Sequence, residues 1–139
     1  VFASIARQIQ TYGTPFKAPC VILSSGEVTT LINDNSTIKG HGGPSQEMMT
    51  GFALSADKIP GACMLSIDSE GTDGTTPVAG AITDSTSLLV ALKAGIDFPE
   101  ALRTHSCYEA LEAVGDTVLT GNTGTNLCDF NVMFVPSIN

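Results

Sequence analysis

The chain has 139 residues, enough for one domain with a proper hydrophobic core. Six Lys and Arg stand against fourteen Asp and Glu, a formal net charge of −8. That balance argues against nucleic acid or an anionic membrane surface as partner, because both need clustered cations.

Phe2, Ile5, Ala6 and Ile9 recur at helical spacing and predict a helix over Phe2–Tyr12, ended by Gly13 and blocked by Pro15. The chain opens on Val1 inside this pattern, so a preceding N-terminal domain is expected. Cys20–Leu23 is a continuous apolar run, as in a strand buried on both faces. The SSG at 24–26 interrupts it, and Glu27–Asn33 resumes as a β-branched strand. Asn33–Ser36 is a turn cluster, and Thr37–Gly40 is open to a further short strand.

GHGGPSQE at 40–47 leads into a helix. Pro44 suits its first turn, and Met48, Met49, Phe52, Ala53 and Ala56 keep helical spacing up to Asp57–Gly61. Ala62–Asp68 reads as a buried strand running into SEGTDGTTP. Ala79–Thr83 is either a short helix or a strand. Asp84 is placed to cap a helix carrying Leu88, Leu89, Ala91 and Leu92, with Gly95 as its stop. Phe98–Leu102 forms a helical turn or two. Ser106 caps a last helix from Tyr108 to Val114, closed by Gly115. Thr117–Thr120 and Phe130–Val135 are the final strands, around the small-residue loop GNTGTN.

Strands alternating with helices predict a single α/β domain, a three-layer α/β/α sandwich with helices on both faces of a mixed sheet. Residues 1–18 read as an N-terminal helix and connector, and residues 19–139 as the domain proper. The short gap after Leu23 and the closeness of the last two strands call for some antiparallel pairing. No run reaches membrane-spanning length and none reads as a signal peptide. Cys20, Cys63, Cys107 and Cys128 form no CxxC and no Cys/His metal spacing. Cys20 and Cys63 read as small core residues, and a reduced, cytoplasmic protein is the simplest inference, with a disulfide left open.

Three strand-end loops combine glycine with a carboxylate: Ser24–Glu27, Ser69–Gly74 and Gly121–Asp129. Ligands of open α/β sheets bind beyond strand ends. With so few cations, a phosphate here must be met by backbone N–H groups, helix N-termini or metal ions. GHGGPSQE supplies such a helix N-terminus. Asp73, Asp129 and Glu27 are candidate oxygen ligands for Mg²⁺. Neither a Walker A sequence nor a dinucleotide GxGxxG is present. Each feature also has an ordinary reading: turn glycines, Glu47 as dipole compensation, Asp68, Asp73 and Asp84 as turn and cap residues. His41 and His105 are isolated from any obvious Cys or Asp partner, and His105–Ser106 is not a triad.

SSGEVTT, GHGGPSQE, SEGTDG, HSCYEALEAVGD and TGNTGTNLCD follow one another in an order that resembles the MOFRL domain. This is the C-terminal domain of class II glycerate kinases, a family that also carries the name hydroxypyruvate reductase. The resemblance runs from about Pro19 to Val135. It implies ATP-dependent, Mg²⁺-assisted phosphorylation of D-glycerate in a cleft shared with a Rossmann-like N-terminal domain of the same polypeptide. It implies Asp73, Asp129 and Glu47 as catalytic, with Asp73 and Asp129 toward Mg²⁺. It implies Ser25, Gly26, Glu27, Gly42, Gly43, Gln46, Thr72, Thr123, Gly124, Thr125 and Asn126 as substrate- and phosphate-binding. The backbone N–H groups of Gly42–Gly43 and Thr123–Thr125 would take the anion. Hydride transfer fits less well, since no nicotinamide fingerprint is present. The chain departs from the family's common GGRNQE at Pro44 and Ser45, which removes an arginine suited to anions. His105 stands where an amide is frequent, and TTPVAG is short. The alternative is a non-catalytic ligand-binding or regulatory module that keeps the fold.

Overall fold

The helical spacing at the start of the chain produces α1 (Phe2–Tyr12), which buries Ala3, Ala6 and Ile9 and ends on Gly13 in the left-handed conformation. The structure, a computed structural model, describes residues 1–138. Its further elements are β1 (Cys20–Gly26), a 3₁₀ turn (Asn35–Thr37), α2 (Pro44–Ala56), β2 (Cys63–Asp68) and β3 (Gly80–Asp84). They are followed by α3 (Ser87–Lys93), α4 (Phe98–Arg103), α5 (Cys107–Val114), β4 (Thr117–Val118) and β5 (Asp129–Val135). No helix among the described residues is long and apolar enough to cross a membrane.

The single α/β domain expected from the sequence is present, but the sheet is not mixed. Its order is β1-β5-β2-β3-β4, and each of its four pairings is antiparallel. The last two strands, close in sequence, are not neighbours: β4 lies at an edge on β3, while β5 is central between β1 and β2. Ala79–Thr83, left open between helix and strand, forms β3.

The expected strand over Glu27–Asn33 does not form. β1 runs on through the SSG to Gly26, opposite Asp129, and residues 27–34 then leave the sheet, with Val28, Leu31 and Ile32 exposed. β-branched residues favour a strand only where a neighbouring edge is there to pair. The further short strand at Thr37–Gly40 is likewise absent. The turn cluster does form: Asp34 accepts the Ser36 N–H at 2.8 Å.

The helices cover one face of the sheet only, so the architecture has two layers rather than three. Register puts Met64, Ser66, Ala81, Thr83, Asn131, Met133 and Val135 on the covered face, and all are buried. The apolar core joins α1, α2, α4 and α5 to this face through Met64, Ala81, Met133 and Val135. Val21, Leu23, Ile82, Phe130 and Phe134 point the other way and remain exposed. A continuous apolar strand therefore does not mean burial on both faces within this chain. The four cysteines are free thiols; burial pushes the Cys107 thiol up to about 12, so it is a core residue rather than a nucleophile.

Candidate functional site

The register places Gly26, Asp129 and Asp68 side by side at one end of the sheet. The loops after β1 and β2 and the loop before β5 therefore meet there. Their contacts explain the small residues of the sequence. Ser69 N–H donates to the Cys128 carbonyl at 3.1 Å, and Thr123 N–H to the Glu70 carbonyl at 3.2 Å. Asn126 Nδ2 donates to Glu70 Oε2 at 3.0 Å, and Leu127 N–H to Ser69 Oγ at 2.7 Å. Asp129 Oδ2 accepts the Val28 N–H at 2.7 Å, which fastens the segment after β1 to the same corner.

The N-terminus of α2 lies against this corner, and its donors are already occupied. Pro44 at the first helical position has no N–H to satisfy. The next two N–H groups, of Ser45 and Gln46, donate to the Asp73 carboxylate at 3.2 and 2.9 Å. Gln46 Nε2 adds a third bond to that carboxylate at 2.9 Å and reaches Thr76 Oγ1 at 2.9 Å. Asp73 thus caps the helix from a loop far away in sequence, with a charge that complements the helix dipole. Gly43 makes this close approach possible: a Cβ there would collide with the Asp73 carboxyl group. Burial raises the Asp73 pKa above the ordinary carboxylate range, against the lowering by its bonds to Gln46 and Ser45 and with a smaller push upward from Asp129.

This geometry revises two expectations. The α2 N-terminus is not free for a phosphate, because the Asp73 carboxylate is the anion already held there. Nor does Asp73 fit as a Mg²⁺ ligand: it is 1% exposed and both its oxygens accept protein donors. Asp129 has one oxygen on Val28 and can offer the other. No group of three or more His, Cys, Asp or Glu among the described residues is arranged to hold a metal.

Beside Gly43 opens a cleft of about 250 Å³, lined by Thr30, Gly42, Gly43, Glu47, Gly74 and His105 among others. Glu47 projects from the first turn of α2, and its two oxygens are separately engaged. Oε2 accepts from Thr30 Oγ1 at 3.0 Å, and Oε1 lies 2.7 Å from His105 Nδ1. His41 likewise pairs with a glutamate: its Nδ1 lies 2.7 Å from Glu109 Oε1. Both pairings join residues more than 55 apart (|i−j| 58 and 68), beyond any local motif.

The remaining expected residues are spread more widely. Ser25, Gly26, Glu27 and Thr72 lie exposed on the loops around the corner, and Thr123, Gly124, Thr125 and Asn126 on the exposed loop before β5. Gln46 is fully buried, and its Oε1 has no hydrogen-bond partner; Asn131 Oδ1 on β5 is likewise unpaired. Ser66 and Asn131, which face each other across β2 and β5, were missed as part of this polar floor. The available signal was a polar residue in mid-strand, in CMLSID and in FNVMFV. Ser66 Oγ donates to Ser45 Oγ at 3.1 Å, linking the floor to the helix.

Fold and site together define a two-layer α/β domain with a helix-based cleft at the loop end of an antiparallel sheet. Residues 20–129 match the MOFRL family, and the chain belongs to it. It is 40% identical over 134 residues to a glycerate 2-kinase of Pyrococcus horikoshii, covering 96% of this chain and 30% of that protein. It is 38% identical to an Agrobacterium vitis protein bearing the hydroxypyruvate reductase name, over 97% of this chain and 34% of the relative. The crystal structure of a glycerate kinase from Thermotoga maritima superposes with a TM-score of 0.85 at 31% identity, over 96% of this chain and 31% of that one. The chain thus spans about a third of the length of the relatives it matches.

Proposed function

We propose that this chain is the C-terminal domain of a cytoplasmic glycerate 2-kinase-like enzyme, which phosphorylates D-glycerate with ATP in a cleft shared with an N-terminal domain. The observation that carries the reading is the corner where the loops after β1 and β2, the loop before β5 and the start of α2 converge beside an open cleft. The names of the relatives supply the reaction.

The same corner apportions the work. Phosphoryl transfer is mostly positioning and charge stabilisation. The cleft lining has no Lys or Arg, and the α2 donors are spent on Asp73. Cations and donors for the triphosphate therefore come from the other domain. This chain contributes one wall for the acceptor substrate, whose hydroxyls meet the cleft around Thr30 and Glu47, with the free oxygen of Asp129 at the adjoining sheet corner. Mg²⁺ would neutralise phosphate charge there, and of Asp73 and Asp129 only Asp129, with one oxygen not on Val28, would hold it.

In the full-length protein Asp129→Asn is expected to lower kcat/KM for glycerate at least tenfold, about 1.4 kcal/mol of transition-state stabilisation. Unchanged glycerate phosphorylation by that variant would remove Asp129 from the site. The spent helix donors also favour a second reading, a ligand-binding module without catalysis. Calorimetry and turnover on the full-length protein separate the two: glycerate binding with no product formation from ATP supports the module.

A further inference from the structure

Two histidine–glutamate pairs flank the glycine segment at 40–43, with the same 2.7 Å separation but different settings. His41 and Glu109 are 65% and 45% exposed, an ordinary surface pair worth little. His105 and Glu47 are 18% and 21% exposed and line the cleft.

We propose that His105 accepts the proton of the substrate hydroxyl in this cleft, with Glu47 positioning its ring. The inference rests on the kinase reading above and assigns a residue that reading leaves without a role. An ionised carboxylate only accepts hydrogen bonds, so the bond to Glu47 places the proton on His105 Nδ1. In its neutral form this tautomer carries its lone pair on Nε2, which has no hydrogen-bond partner among the described residues. Glu47 is itself fixed, because Thr30 holds its second oxygen. His105 also sits at φ 51, a left-handed conformation unusual for a residue with a Cβ. Such backbone positions persist where the surroundings over-determine them, frequently at functional sites.

The charged groups around the pair come from several elements. Glu47 from α2, Glu109 from α5 and Asp73 from the loop after β2 all act on neighbouring Cys107. Lys39 and Arg103 are both engaged by Glu100, and Glu109 by His41. No cation competes with His105 for Glu47 among the described residues.

In the transfer step the substrate oxygen forms a bond to the terminal phosphorus of the nucleoside triphosphate while its proton passes to Nε2. The bridging P–O bond breaks, and the nucleoside diphosphate leaves with the electron pair. Glu47 stabilises the resulting imidazolium, which returns its proton to solvent.

The test uses the full-length protein with D-glycerate and ATP across pH. His105→Ala and His105→Gln are expected to lose about 100-fold in kcat/KM and to lose the rise of kcat/KM with pH on its acidic side. Added imidazole should restore part of the His105→Ala activity, which a purely structural role would not allow. Nitrogen NMR of the wild type should show His105 as the Nδ1–H tautomer, and Glu47→Gln should shift that resonance. An active wild type whose His105→Gln variant keeps its rate and acidic limb overturns the proposal, as does an Nε2–H tautomer. A wild type inactive on glycerate overturns both the kinase reading and the transfer step, while the NMR result still judges the pair separately.

Discussion

Asp73→Ala is expected to destabilise the domain by about 3–5 kcal/mol, the cost of leaving several buried donors without an acceptor. The donors are the N–H groups of Ser45 and Gln46 and the amide of Gln46. Ser45 and Gln46 are 0% exposed, so water cannot reach these donors without a shift of the helix. For a domain of this size the loss corresponds to roughly 10–20 °C in melting temperature. Asp73→Asn keeps one acceptor oxygen but points an NH₂ group at donors, so it should fall between wild type and Ala. The pH dependence has a definite sign. Because burial raises the Asp73 pKa in the folded state, its contribution is full below the ordinary carboxylate range and declines as pH rises through the raised value. The gap between wild type and Asp73→Ala should therefore be widest in acid and narrow toward neutrality. Urea midpoints at a series of pH values measure this, and a gap that widens with pH would contradict the burial argument.

Asp73 also shows why the site was harder to read than the elements. α1, α2 and α5 announce themselves through local periodicity and a terminal Gly or an N1 Pro, and their observed ends lie within a residue or two of the expected ones. The strand at Phe130–Val135 was equally legible, from its β-branched and aromatic run. Its neighbours were not, since pairing with β1 and β2 is decided by contacts more than 60 residues away. The glycine loops were recognised as a group, and they do meet at one corner. What each side chain does there depended on distant partners: Asp73 on the α2 N-terminus, Glu47 on His105 and Thr30. A sequence lists donors and acceptors but not which acceptor is already occupied. The same blindness affected Val28, Leu31 and Ile32, whose strand-like pattern carries no record of whether an edge is available.

Gly71→Ala should be nearly as damaging as loss of Asp73, at roughly 3–5 kcal/mol, because backbone strain and overpacking add at one position. Gly71 has φ +99, and a Cβ there would collide with the carbonyl group of Gly121. The collision lies at the seam where the 69–74 loop bonds to the loop before β5 through Ser69–Cys128 and Thr123–Glu70. Gly115→Ala is the control. Its φ is +80, but nothing lies within 4 Å of the added Cβ, so it meets the conformational cost alone, about 1–2 kcal/mol. Thermal and urea unfolding of both variants isolates the packing contribution of the seam. The functional consequence should separate them further. Parting the seam displaces the loop that carries Asp73, and with it the start of α2 and Glu47. Gly71→Ala should therefore lower kcat/KM of the full-length protein under conditions where it remains folded, whereas Gly115→Ala, at the far end of α5, should leave turnover unchanged. Equal losses in the two variants would mean that the seam is only a surface contact and that the cleft is positioned independently of it.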